Sequence, residues 1–549
     1  MKKYRIAIGA FLRGQRNQHL LLALAIGLVY LPFLGSAFFF DDIGFFSSAA
    51  KYYASSWFQF DLRWFPYASL GWSVTIFSDV VPHFFRLGNA LIHLGNVILL
   101  YVLIQRITES ALPQAQRPVI AQGAVLAALI FAVHPVAVYA VGYVIQRSIL
   151  MATFFGLMMF WGYLRGALSA EKRWLLLSVV SYFFACFSKE HSALLPLALA
   201  ALALLLRGNN KLGKKTIWLT WSAYTVIFVL VILRAKGVLG IPYEAMAMQL
   251  FEQQGIVEST PMLHLLSVMT QAGLFFKYLF LWLLPNSAWM SVDMRETFIP
   301  AWTAWRGWLG LVAFAAYGML ALRLLLRSGS KGLLGFALLY PWLLFFIEFS
   351  SIRVQEPFVL YRSYLWMPGL MLLVPLLLIH LPGRRTLLAL GFFVLLLLPL
   401  SWNRLWVFDD NFRIWDEAAR HLDNDRVAGA DRIYFNRGRA EMNAQHWEAA
   451  ALDIERAAAI SPQLAPVHYE LGVVYTTLRR YEDALLQYDR AIKINPDENR
   501  VYLAKGLTLR RLHRDKEAAQ QMEQSCRLKN EFACLFVSPT KRDAPVPAK

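Results

Sequence analysis

Long apolar runs recur along the first three quarters of the chain and stop near Trp406. Because a helix needs roughly 20 predominantly apolar residues to cross a bilayer, these runs predict about 11 membrane spans. The predicted spans lie at roughly 20–40, 84–104, 119–133, 149–164, 174–188, 194–206, 216–234, 305–326, 333–346, 363–380 and 387–402. Beyond the last run the pattern is that of a soluble domain. We therefore predict a polytopic helical membrane domain over 1–406, followed by a separate globular region.

The globular region carries a sequence repeat with a period of 34 residues. Three sets of positions recur at that interval: Gly438, Gly472 and Gly506; Ala450, Ala484 and Ala518; and Pro462 and Pro496. Small residues where two helices touch, and Pro where the next unit begins, are typical of the tetratricopeptide repeat. The chain is therefore predicted to be all-α, with a connector over 407–430, three tetratricopeptide repeats over 431–536 as an α-solenoid, and a disordered tail over 537–549. Such an array either binds a peptide or partner protein or only braces the membrane domain.

Composition agrees with a membrane protein, since 58% of residues are hydrophobic and the mean hydropathy is +0.44. The net charge of +18 does not indicate nucleic-acid binding, because no basic patch with interleaved aromatics accompanies it. Much of the basic surplus lies in short loops between apolar runs, as the positive-inside rule requires. These loops contain Arg106 and Arg117, and the ranges 165–173, 207–215, 323–331 and 384–385.

Placing the basic loops inside predicts a multi-pass protein of the inner (cytoplasmic) membrane. The basic N-terminus precedes an apolar run that is too long for a signal peptide, so we expect an uncleaved first span and a cytoplasmic N-terminus. The repeat domain then lies on the external, periplasmic side. The apolar segment 264–284 does not fit this scheme, because one crossing there would place the later basic loops outside. We therefore interpret it as re-entrant or interfacial.

The first predicted span runs directly into two carboxylates, Asp41 and Asp42. Charges at a span end are costly unless they face water, a cation or a polar ligand. One interpretation is a solvated helix end that marks the interface. The other is a catalytic carboxylate on the first external loop, which extends over about 41–83 and is dense in aromatic residues. The orientation above places further polar groups on the same face: Arg63, His134, Arg147, Lys189, Glu190, Glu348, Glu356 and Arg362.

Several short motifs follow one another along the chain in an order that is typical of one superfamily. They are Asp41-Asp42, Arg63-Trp-Phe-Pro66, the stretch from Leu87 to Asn96, His134-Pro135, Tyr143 to Arg147, Ser188-Lys-Glu190, Glu356, Arg362-Ser-Tyr-Leu365 and the terminal repeats. In this order the chain resembles the GT-C superfamily of polyprenyl-phosphate-sugar glycosyltransferases. Within that superfamily it is similar to the transmembrane and tetratricopeptide-repeat O-mannosyltransferases and their bacterial relatives.

The resemblance implies an integral-membrane enzyme that moves a sugar from a polyprenyl-phosphate or pyrophosphate donor to an acceptor, which we expect to be a protein, on the external face. Such a transfer needs a base for the acceptor hydroxyl and charge compensation for the departing phosphate. Asp41 or Asp42 would be the base. The candidate phosphate-binding residues are Arg63, His134, Arg147, Lys189 and Arg362, and each could instead be a snorkelling or interface residue. Glu190, Glu348 and Glu356 would pair with these cations or help to hold a metal.

The sequence does not identify a cofactor. A divalent cation, Mg²⁺ or Mn²⁺, is one candidate, with Asp41 and Asp42 among its ligands, but spacing does not identify a metal site. Two other functions are consistent with the pattern: a non-enzymatic membrane-anchored scaffold that recruits partners through its repeats, and a transporter of lipid-linked sugars. A transporter would be expected to show paired half-chain repeats, and none is visible.

Two of the three cysteines, Cys526 and Cys534, lie close together at the end of the repeats, whereas Cys186 lies in a predicted span. A spacing of eight suits a bridge between the last repeat helix and the following one. Because an external domain meets an oxidising compartment, we expect a Cys526–Cys534 disulfide, with two free thiols as the alternative.

Overall fold

The structure is a computed structural model that describes residues 15–537 apart from 78, 79, 236, 238, 244–246, 254 and 257. The basic residues before 15 and the predicted tail from 538 onward lie outside this part of the chain. All regular elements in the described part are helical, and one isolated bridge joins Pro242 and Ile352. The chain divides into two compact units, 1–410 and 411–549, each described below by itself.

The first unit contains helices of very different length. Its helices are α1 Gln15–Tyr30, α2 Asp41–Gly44, α3 Ala50–Ser55, α4 Trp64–Phe77, α5 Pro82–Ala111, α6 Arg117–Ala132, α7 Pro135–Val141, α8 Arg147–Ser169, α9 Lys172–Ser188, α10 Leu195–Leu205, α11 Lys214–Ala235, α12 Ala247–Gln253, α13 Thr260–Leu283, α14 Trp305–Leu325, α15 Gly329–Phe345, α16 Ser363–Trp366, α17 Leu373–His380 and α18 Arg384–Phe408. Short 3₁₀ turns lead into α8, α10 and α16.

Eight helical segments of the described chain are long and apolar enough to cross a membrane, and the bent pair α6–α7 would make nine. The sequence pattern predicts about 11 spans. Four predicted spans are not among the eight: the helices at the first, fifth and sixth are shorter than 18 residues, and the third is the bent pair. The eight also include α13, which the sequence pattern does not count as a span. The pair α6–α7 bends by 60° at His134, where the following Pro135 removes a backbone donor and starts a new helix.

Segment 264–284 forms part of α13, one continuous helix of 24 residues. Along its length it donates hydrogen bonds to the stretch 349–363: His264 to the Phe349 carbonyl, Gln271 to the Pro357 carbonyl, and Trp282 to the Ser363 hydroxyl. The helix is long enough to cross a bilayer. It also packs against α14, where the Phe275 ring lies 5.0 Å from that of Phe314 and 5.1 Å from that of Tyr317. Its re-entrant or interfacial placement stays a prediction.

The second unit is an array of paired helices. After α19 Asn411–Arg420, the pairs are α20 Ala430–Asn443 with α21 Trp447–Ile460, α22 Ala465–Thr477 with α23 Tyr481–Ile494, and α24 Asn499–Arg511 with α25 Asp515–Arg527, followed by α26 Glu531–Cys534. The glycines lie where the helices of a pair meet. A Cβ at Gly472 would be 2.5 Å from Tyr488 Cε1, and one at Gly438 would be 2.6 Å from Ile454 Cγ1. Only glycine allows this close approach. In the structure Cys526 and Cys534 are bonded to each other.

Candidate functional site

A polar cavity of about 240 Å³ lies in the first unit. Its lining combines two carboxylates, four cationic side chains, a histidine, three tyrosines and a few smaller groups. The lining residues are Asp41, Arg63, Tyr67, Ile145, Gln146, Ser148, Lys189, His191, Tyr243, Arg353, Glu356, Tyr361 and Arg362. Five of the predicted site residues are therefore brought together: Asp41, Arg63, Lys189, Glu356 and Arg362. They come from three distant parts of the sequence: the first loop, the end of α9 and the segment after α15.

The adjacent carboxylates Asp41 and Asp42 have different surroundings. Asp41 is exposed and lines the cavity, and its backbone N–H donates to the Tyr143 hydroxyl at 3.1 Å. Asp42 is fully buried and accepts hydrogen bonds from the backbone N–H groups of Ile145 (2.8 Å) and Val144 (3.4 Å). Burial raises the pKa of Asp42 to about 7, although these hydrogen bonds act against the shift. The Asp42 carboxylate therefore holds α2 against the turn before α8. It does not line the cavity, so it is not positioned to act as a general base there.

The cavity arginines are held by two carboxylates behind the lining, of which Glu348 is fully buried and Glu190 is 22% exposed. Arg63 donates from Nε to Glu190 at 2.9 Å and makes a second, short contact from Nη2 to the same carboxylate. Glu190 raises the pKa of Arg63 well above its ordinary value. Arg362 donates to Glu348 at 3.0 Å, and Arg353 lies 3.7 Å from the same carboxylate. The predicted acids Glu190 and Glu348 thus position arginines and do not line the cavity themselves.

His191 lies between these two carboxylates. Its Nδ1 is 3.5 Å from Glu190 Oε1, and its Nε2 is 3.3 Å from Glu348 Oε1. The side chain is only 4% exposed. The imidazole therefore lies between the carboxylate that pairs with Arg63 and the carboxylate next to Arg353 and Arg362.

Lys189 is the most isolated cation of the cavity. It is buried, and its ammonium group donates to the Gln146 carboxamide oxygen at 3.1 Å and to the Ser148 hydroxyl at 3.4 Å. Its Nζ also lies 4.9 Å from the centre of the Tyr361 ring. Among the described residues no carboxylate is within ion-pair distance of it. Burial lowers the pKa of Lys189 well below its ordinary value, and the charge of Arg63 adds to the effect.

Two predicted phosphate ligands lie elsewhere. His134 is buried, its ring stacks on Trp282 with centroids 4.4 Å apart, and its Nδ1 accepts the Val136 N–H as the N-cap of α7. Arg147 is buried and donates to the Asn89 carboxamide (2.9 Å), the Phe85 carbonyl (3.0 Å) and the Ser69 hydroxyl. Neither residue lines the cavity. Both side chains instead satisfy buried helix contacts, and their role as phosphate ligands stays a prediction.

Sequence reasoning missed Arg353, His191 and three tyrosines of the lining. A signal existed for the first two, because His191 follows the Ser188-Lys-Glu190 motif and Arg353 lies between Glu348 and Arg362. Tyr243 has no predicted site residue near it in the sequence, so no such signal pointed to it. It reaches the cavity because its backbone N–H donates to the Ile352 carbonyl at 2.9 Å, which places its ring 4.7 Å from the Arg353 guanidinium carbon.

A metal ion does not fit the side chains of this site. Among the described residues, no group of three or more His, Cys, Asp or Glu side chains is arranged to hold one. Of the two candidate metal ligands, Asp41 and Asp42, only Asp41 lines the cavity, because the carboxylate of Asp42 accepts hydrogen bonds from backbone amides. We therefore derive no step through a metal.

Comparison with known families identifies one part of the chain. Residues 465–498 match the family model of the tetratricopeptide repeat. The chain therefore contains a tetratricopeptide repeat, in agreement with the helix pairs of the second unit. No match was found among curated proteins.

Several solved structures align with part of the chain. Two crystal structures of MamA are 21% and 19% identical, cover 27% and 31% of this chain and 80% and 86% of theirs, and have TM-scores of 0.21 and 0.20. YrrB, described as a TPR protein with an unusual peptide-binding site, is 13% identical over 29% of this chain and 85% of its own, with a TM-score of 0.22. Alignments at these scores add nothing to the repeat match.

Proposed function

We propose that the protein is an integral-membrane glycosyltransferase that uses a polyprenyl-phosphate-linked sugar as donor and works on the external face of the cytoplasmic membrane. The observation that carries the proposal is that Asp41 lines the same cavity as Lys189, Arg353 and Arg362. A carboxylate beside several cations suits a reaction that removes a proton on one side and releases a phosphate on the other. The resemblance to the GT-C superfamily supports the same conclusion.

Membrane insertion is supported by the surfaces of the long helices. Only 11% of the apolar stretch of α18 is buried inside the protein, compared with 22% of the apolar stretches of α11 and α14. Exposed large apolar residues such as Trp218, Leu233, Val312 and Phe392 lie on these helices. Soluble proteins rarely expose apolar surface on this scale, whereas lipid tails cover it without cost.

In the proposed reaction, the acceptor hydroxyl binds beside Asp41, which takes its proton. The hydroxyl oxygen then attacks the anomeric carbon, and the bond from that carbon to the phosphate oxygen breaks. Polyprenyl phosphate leaves with the electron pair. Lys189, Arg353 and Arg362 stabilise the negative charge that develops on it, and the planar guanidinium groups suit its oxygens. Direct attack from the opposite side gives inversion at the anomeric carbon.

The test is sugar transfer by the purified full chain in detergent, with a radiolabelled polyprenyl-phosphate sugar as donor. We expect Asp41→Asn to lower the rate by about 10²–10⁴-fold, the range of general-base catalysis. Asp61→Asn is the matched control, because Asp61 lies in the same loop but pairs with Arg234 at 2.8 Å outside the cavity lining. Equal rates for the two variants would refute the assignment.

A second candidate function is a membrane-anchored scaffold. It is favoured by the repeat match at 465–498, since tetratricopeptide arrays commonly bind partner proteins. The two functions differ in what they require of the first unit. For a scaffold alone, Asp41→Asn would leave every phenotype unchanged, and only substitutions in the repeats would matter.

A further inference from the structure

The backbone turn that leads into Asp41 has a conformation that its residues disfavour. Phe40 has φ 51° and ψ −128°, and the Asp42 N–H closes the turn by donating to the Phe39 carbonyl at 3.1 Å. These angles are those of the first central position of a type II′ turn, which glycine usually occupies because a side chain is crowded there. A strained residue of this kind persists only where surrounding contacts hold it.

Tyr143 supplies one of these contacts. Its hydroxyl accepts a hydrogen bond from the Asp41 backbone N–H at 3.1 Å, directly after the strained residue. The Tyr143 side chain is buried, and its ring stacks on Phe39 with centroids 4.8 Å apart. Phe39 in turn lies against Phe408, with ring centroids 5.1 Å apart. Because packing fixes the phenol ring, the hydroxyl is a fixed acceptor for the Asp41 backbone.

The segment 143–146 also holds a cation on the other side of the cavity. The Tyr143 carbonyl accepts the Gln146 N–H at 3.1 Å, and the Gln146 carboxamide oxygen accepts a hydrogen bond from the Lys189 ammonium group at 3.1 Å. Gln146, Lys189 and Asp41 line the cavity, whereas Tyr143 does not. Tyr143 therefore acts on the site through the residues that it holds.

We propose that the Tyr143 hydroxyl is a positioning residue for the sugar transfer, because it holds the strained turn at Phe40 and so keeps the Asp41 carboxylate in the cavity. The inference rests on the function proposed above, which assigns Asp41 as the base. Without this acceptor, Phe40 is free to rotate towards negative φ, and the rotation moves the residue that follows it. A displacement of about 1 Å is enough to slow a reaction severely.

The experiment measures kcat and KM for sugar transfer by the purified full chain in detergent. Tyr143→Phe keeps the ring on Phe39 and removes only the hydroxyl. We expect kcat to fall about tenfold, the equivalent of one hydrogen bond. The KM for the lipid donor should stay within about twofold, since the Gln146–Lys189 contact is kept.

Two backgrounds test whether the hydroxyl acts through the strained turn. Phe40→Ala and Phe40→Gly both remove the ring, but only glycine adopts a φ of 51° without strain. In the Phe40→Ala background, Tyr143→Phe should still lower kcat about tenfold. In the Phe40→Gly background the loss should shrink to about threefold or less, because the turn no longer needs the hydroxyl. An equal loss in both backgrounds would overturn the proposal.

Tyr317→Phe is the matched control. The Tyr317 hydroxyl donates to the Leu338 carbonyl at 3.0 Å, between α14 and α15 and outside the cavity lining. This variant should lower the Tm but leave kcat within about twofold of the unmodified chain, because distant substitutions act independently. A loss of kcat equal to that of Tyr143→Phe would mean that general loosening slows transfer, and it would overturn the positioning role.

The outcome for Asp41→Asn separates this inference from the proposed function. If Asp41→Asn loses transfer and Tyr143→Phe keeps full kcat, the positioning role is wrong and the proposed base stands. If Asp41→Asn transfers sugar at the unmodified rate, both the base and the role of Tyr143 are refuted.

Discussion

At the scale of single residues, Asp41 and Asp42 show how neighbours in sequence acquire separate roles. Asp42 is fully buried and accepts two backbone hydrogen bonds, whereas Asp41 faces the cavity. We expect Asp42→Ala to destabilise the protein by about 2–4 kcal/mol, because two buried N–H groups lose their acceptor. Asp41→Ala should change stability little. Thermal unfolding in detergent measures both, and an unchanged Tm for Asp42→Ala would contradict the structural role.

Lys189 gives a prediction about pH. Burial lowers its pKa, so the unoccupied site loses this positive charge at a lower pH than an exposed lysine would. A phosphate binds the charged amine better, and we therefore expect the affinity for a polyprenyl phosphate to fall with rising pH, at a lower pH than it would beside an exposed lysine. Lys189→Arg should flatten this dependence, since a guanidinium stays protonated. Identical pH profiles for the variant and the unmodified chain would show that another group titrates.

At the scale of elements, the polar side chains around α8 hold helices together. Arg147, at the start of α8, donates to Asn89 and to the Phe85 carbonyl, both on α5. We expect Arg147→Met to lower stability by about 2–4 kcal/mol by leaving these acceptors unpaired, with unchanged affinity for polyprenyl phosphate. Arg106→Met is the control, because Arg106 is 64% exposed on the same helix α5. A weakened phosphate affinity at normal stability would restore Arg147 to the binding site.

The repeat glycines and the residues around the cavity show how much of this structure the sequence predicts. The glycines at 438, 472 and 506 reveal the repeat because each helix pair meets at a residue whose size is fixed by contact. The positive-inside rule also assigns the segments that contain the predicted site residues to one face of the membrane. It does not tell which side chain of a loop enters the cavity, because successive residues of a helix point about 100° apart. Arg147 therefore turns away from the cavity while Gln146 and Ser148 line it.

At the scale of the whole molecule, the proposed function needs the cavity and the repeats outside the cytoplasm. The basic loops favour this orientation by the positive-inside rule. The cavity is lined by residues of the segments between helices that the same rule places outside, among them Lys189 and Glu356. An orientation with these segments in the cytoplasm would leave the proposed enzyme with its donor on the wrong face.

The bonded pair Cys526 and Cys534 provides a direct test of that orientation. Disulfides persist in oxidising compartments and are rare in the cytosol. In cells that produce the full chain with Cys186→Ser, we expect both remaining thiols to resist a maleimide polymer until a reductant is added, after which two polymers should attach. The variant Cys526→Ser, made in the same background, is the control and should be labelled once without reduction. Labelling of both cysteines before reduction would place the repeats in a reducing compartment and would contradict an external glycosyltransferase.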